Sequence, residues 1–90
     1  MRAYAERRKW LAEQLKDRIV AAGGKGVRVR CGRGTAWGWI DVWCPKGSLE
    51  FTPAQRKAVE QVVGGKLGGN CWVGEIGEVE RILGVEPFFG

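Results

Sequence analysis

Apolar residues recur at spacings of three, four and seven along the first stretch of the chain. Tyr4, Leu11, Leu15, Ile19 and Ala22 form one stripe, with Trp10 on its flank, and this spacing predicts a helix over 2–22. Glu6, Lys9, Glu13, Lys16 and Asp17 populate its outer surface, and Gly23-Gly24 ends it, since glycine accepts the left-handed conformation of a helix cap. The period then drops to two. Val27, Val29 and Cys31 alternate with Arg28 and Arg30; Ala36, Gly38, Ile40, Val42 and Cys44 alternate with Trp37, Trp39, Asp41 and Trp43. Such alternation predicts two half-buried strands of a β-hairpin, with the turn in Gly32-Arg33-Gly34-Thr35.

A second helix is announced by its cap. Thr52 is a good N-cap, Pro53 suits the first turn, and Gln55 completes a capping box. Ala58, Val59, Val62 and Val63 give its buried stripe, Arg56, Lys57, Glu60 and Gln61 face outward, and Gly64-Gly65 closes it. Cys71 to Val73 reads as a short strand broken by Gly74. Ile76, Val79, Ile82 and Leu83 space as a final helix, its early acids Glu75, Glu78 and Glu80 in solvent and Arg81 near its end. Phe88 and Phe89 are expected to tuck back onto the core.

The order is α-β-β-α-β-α, which predicts a single α+β domain over residues 1–90. Its architecture is a two-layer sandwich: a three-stranded sheet, four-stranded if residues 49–51 join it, with helices on one face. If strands two and three are parallel, their connection makes a right-handed crossover.

Turn length decides what the hairpin shows to solvent. With Arg33-Gly34 as a two-residue turn, Arg30 opposes Trp37, Arg28 opposes Trp39 and Val27 opposes Ile40. One face is then small and aliphatic; the other carries two arginines and three tryptophans. A three- or five-residue loop flips the pairing and sends the tryptophans into the core. The exposed reading is preferred, because a tryptophan core would bury Arg28, Arg30 and Asp41 as well. Gly38 would also let a helix approach the aliphatic face closely.

Charge sharpens this picture. Residues 1–47 hold eleven Lys/Arg against four Asp/Glu, or +7, and residues 48–90 carry −2. The positive charge therefore belongs to the first helix and the hairpin, which points to a polyanion partner, nucleic acid before membrane. No apolar run approaches the roughly 20 residues that span a bilayer, and no secretory apolar segment is evident. The expectation is a soluble, cytoplasmic protein.

Candidate chemistry is sparse. The chain has no histidine, and its cysteines lack a CxxC knuckle, so no metal and no cofactor are expected. Cys31 and Cys44 fall on the aliphatic face at opposite ends of the hairpin, beyond disulfide reach, while Cys71 is left open. Gly23-Gly24-Lys25-Gly26 resembles a phosphate loop, but its glycines follow a helix instead of preceding one. Without a base or an activated nucleophile, the chain does not read as an enzyme and shows no small-molecule substrate. Asp41 stands among tryptophans within reach of Arg28 and Arg30.

The expected function is a small basic nucleic-acid-binding domain, favouring single strands or RNA. Lys25, Arg28, Arg30, Arg33 and Lys46 would contact the backbone, Trp37, Trp39 and Trp43 would stack bases, and Arg7, Arg8 and Lys9 would extend the footprint. The alternative is a protein-interaction module, either a homodimer or an adaptor or small inhibitor docking on a larger enzyme. Arginine and tryptophan anchor interfaces as readily as they bind nucleic acid.

Overall fold

The computed structural model describes residues 2–32 and 37–88. The elements are α1 (Arg2–Ala21), β1 (Arg28–Cys31), β2 (Trp39–Trp43), α2 (Pro53–Val63), β3 (Cys71–Glu75) and α3 (Ile76–Leu83). The strands form one antiparallel sheet in the order β1-β2-β3, an α+β arrangement as the pattern predicts. Helix α1 lies against β1 and touches both other helices, while α3 also reaches β2 and β3. The core between the layers is Leu11, Leu15 and Ile19 from α1, Val27, Ile40 and Val42 from the hairpin, Ala58 and Val59 from α2, and Ile76, Val79 and Leu83 from α3.

Local chemistry sets the helix ends. The Thr52 hydroxyl accepts from the Gln55 amide at 3.1 Å and the Gln55 side chain accepts from the Thr52 amide at 2.9 Å, the reciprocal pair of a capping box. At the end of α1 the Gly24 amide returns to the Ile19 carbonyl at 2.9 Å, with Gly23 at φ +105°. Gly24 is also where α1 meets α2: a Cβ there would stand 3.1 Å from that of Ala58.

Several expectations are corrected, and the two conditional ones are decided. The hairpin pairs Arg28 with Trp43, Val29 with Val42, Arg30 with Asp41 and Cys31 with Ile40, four residues further along β2 than a two-residue turn requires. The expected Arg33-Gly34 turn, and Arg33 itself, lie outside the described residues. Because the shift is even, every side chain keeps its face. Strand β3 does not cross over in parallel: its first residue, Cys71, opposes Trp43, so the connection through α2 returns to the end of the sheet it left. Nor does Gly74 break β3. It opposes Ile40 inside the strand, and a Cβ there would stand 2.7 and 2.9 Å from Cζ2 and Cζ3 of Trp72, whose ring occupies that space. Residues 49–51 form no strand; Phe51 is buried and Leu49 is 91% exposed.

The three cysteines are free thiols. In the shifted register Cys31 and Cys44 lie only about 13 Å apart along the hairpin, closer than expected. Gly38 is exposed and a Cβ there would meet nothing within 4 Å, so no helix packs over that position; its carbonyl instead accepts from the amide of Ile76, the first residue of α3, at 3.1 Å. No helix among the described residues is long and apolar enough to cross a membrane.

Candidate binding face

With the helices on the Val29, Ile40 and Val42 side, the opposite sheet face carries three short rows. Arg28, Trp43 and Cys71 make the first; Arg30, Asp41 and Val73 the second; Trp39 and Glu75 the third. This is the Arg/Trp face expected from the alternation, with two differences. Cys71, Val73 and Glu75 join it from β3, and Trp37 leaves it.

Trp37 lies in the turn before β2 and is half-buried. Its ring stacks with Tyr4 at 4.7 Å between centroids, and the Arg8 guanidinium sits over it at 3.8 Å. These contacts bury Trp37 against α1 instead of leaving it on the solvated sheet face.

On the face itself the charges are largely self-paired. Arg30 meets the Asp41 carboxylate at 3.5 Å, and the same carboxylate oxygen accepts from the Trp43 indole N–H. Arg30 also lies over the Trp43 ring at 5.3 Å, so one face of that ring is covered. Arg28 Nε donates to the Cys44 carbonyl at 2.9 Å. Trp39 remains 39% and Val73 49% exposed, and as diagonal neighbours they form the apolar part of the face.

The basic cluster of α1 divides. Arg7 bonds Glu80 through Nη2 at 3.0 Å and Nε at 3.3 Å, donates to the Glu86 carbonyl and lies near the rings of Trp10 and Phe88. Arg8 is buried, and donates through Nη2 to the Gly32 carbonyl. Lys9 faces solvent, as do Lys25 and Lys46. Glu80, expected in solvent, is buried because it receives Arg7 and the Phe88 amide, the latter at 2.9 Å. Arg56, expected to face outward, is half-buried and clasps the Leu67 and Gly69 carbonyls.

At the mouth of the hairpin the face opens into a cleft of ≈ 880 Å³ lined by Arg8, Trp37, Arg30, Asp41, Trp39 and Val73, together with Cys31 and Gly32. Burial pushes the Cys31 thiol above its ordinary pKa, Arg8 opposing and Asp41 adding to the shift. Among the described residues no group of three or more His, Cys, Asp or Glu is placed to hold a metal ion. Sequence reasoning missed the cleft, Arg8's part in it, and Val73; the alternation of Cys71, Val73 and Glu75 was the available signal for Val73. Comparison with protein-family models, curated proteins and solved structures finds no match for this chain.

Proposed function

We propose that the protein is an interaction module that binds a short segment of another protein on its uncovered sheet face. The observation that carries this reading is the exposed Trp39–Val73 pair beside the self-paired Arg30, Asp41 and Trp43. Exposed tryptophan flanked by arginine is the composition of an interface anchor. The face is electrically balanced, Arg28 and Arg30 against Asp41 and Glu75, which favours a mixed polypeptide over a polyphosphate. Size favours a short partner. Three strands of four or five residues span about 14 by 17 Å, or ~240 Å², against the ~800 Å² that each globular partner commonly buries.

The second reading, single-stranded nucleic acid, is favoured by one observation. Exposed Lys25 and Lys46 flank Arg28 and Trp43 at the far end of the hairpin. One experiment separates the two. A peptide library selected on the intact protein should enrich sequences whose binding survives about 0.5 M salt and disappears in Trp39→Ala, whereas binding of a single-stranded oligonucleotide of about 12 residues should be weak and fall steeply with salt. Failure to enrich any sequence, or tighter binding of the oligonucleotide than of every peptide, would reject the peptide reading.

A further inference from the structure

Among the described residues, Arg8 is a buried cation without an anionic partner. It is 6% exposed, its Nε has no hydrogen-bond partner, and the ion pairs among the described residues are Arg7–Glu80 and Arg30–Asp41. Arginine does not escape such a site by losing its proton, so the charge persists where water cannot solvate it. The same side chain lines the cleft at the hairpin mouth, across from Asp41 and Arg30. Two arginines and one aspartate leave a single positive charge, since Arg30 and Asp41 answer each other at 3.5 Å. A carboxylate matches one charge and accepts a charge-assisted hydrogen bond from a guanidinium. A phosphate monoester brings about −1.5 to −2 and would meet Asp41 with the excess. The exposed Trp39 and Val73 supply an apolar wall beside the charge.

We propose that this cleft is a carboxylate site, in which Arg8 takes a monoanionic carboxylate borne on an apolar group that lies against Trp39 and Val73. Assigning that carboxylate to a peptide rests on the reading of the sheet face above; the site itself does not, because a small free acid would also fill it.

The test uses the full chain labelled with ¹⁵N and follows the Arg8 Nε–H and Trp39 indole N–H signals during titration with phenylacetate, phenylacetamide and phenyl phosphate. Phenylacetate should move both signals and bind at least about tenfold tighter than the neutral amide, with phenyl phosphate no tighter than phenylacetate. Arg8→Gln should abolish the difference between acid and amide. Because Arg8 also holds Gly32 and Trp37, Asp41→Asn serves as the independent variant. It adds one positive charge to the cleft, so phenylacetate should bind several-fold tighter and phenyl phosphate should gain more. Equal affinity for acid and amide, an unmoved Arg8 signal at saturating phenylacetate, or unchanged affinities in Asp41→Asn would overturn the proposal. Phenylacetate binding at Arg8 while no peptide binds the sheet face would uphold the site and reject the peptide reading alone.

Discussion

Replacing Glu80 by alanine should be among the most damaging single changes away from the apolar core. Glu80 Oε2 accepts from Arg7 Nη2 at 3.0 Å, from Arg7 Nε at 3.3 Å and from the Phe88 amide at 2.9 Å, joining α1, α3 and the segment that follows. The side chains are 7% exposed for Glu80 and 18% for Arg7, so both charges are largely out of water. Breaking a buried pair from one side costs roughly 3–5 kcal/mol, chiefly by stranding the other charge. Arg7 keeps a bond to the Glu86 carbonyl and some solvent, which brings Glu80→Ala to or just below the bottom of that range, at about 2–3 kcal/mol. For a domain of this size that is a fall in Tm of roughly 10–20 °C. Urea unfolding gives the free energy, and Glu13→Ala on the exposed side of α1 serves as control, expected within about 0.5 kcal/mol of wild type. A double-mutant cycle with Arg7→Ala should return a coupling of at least about 1.5 kcal/mol. A Glu80→Ala cost no larger than that of Glu13→Ala, or a coupling near zero, would refute the assignment of this pair as a tie between layers.

Two further outcomes are expected. Gly74→Ala would ordinarily gain about 0.5–1 kcal/mol from reduced chain entropy, but its Cβ collides with the Trp72 ring, so urea unfolding should show a loss of roughly 1–3 kcal/mol that largely vanishes in a Trp72→Ala background. Desolvation, the dominant influence on Cys31, keeps its thiol protonated in the fold to higher pH than in the unfolded chain. Stability should therefore be undiminished below about pH 8.5 and decline above it as the unfolded thiol ionises first, until the folded thiol ionises too; this alkaline slope should be shallower in Cys31→Ala, and an unchanged slope would count against the shift.

The element order and the two-faced hairpin were legible in residue order, because each rests on near neighbours. Thr52, Pro53 and Gln55 cap α2 with atoms three residues apart, and the alternation through Val29, Arg30, Ile40, Asp41 and Val42 assigns each side chain to a face whatever the register, provided any shift is even. Partners distant along the chain were not legible. Glu80 looked solvated until α1 placed Arg7 beside it, 73 residues away, and Arg8 looked like an exposed cation until the hairpin closed over it. Trp37 read as one more residue of a strand, yet it packs onto the helix against Tyr4 and Arg8. Periodicity records which side of an element faces the core, since that depends on backbone geometry alone. Which charges meet depends on how helices and strands dock, and that docking buried Arg8 against the Gly32 carbonyl and the Trp37 ring, with no carboxylate partner among the described residues.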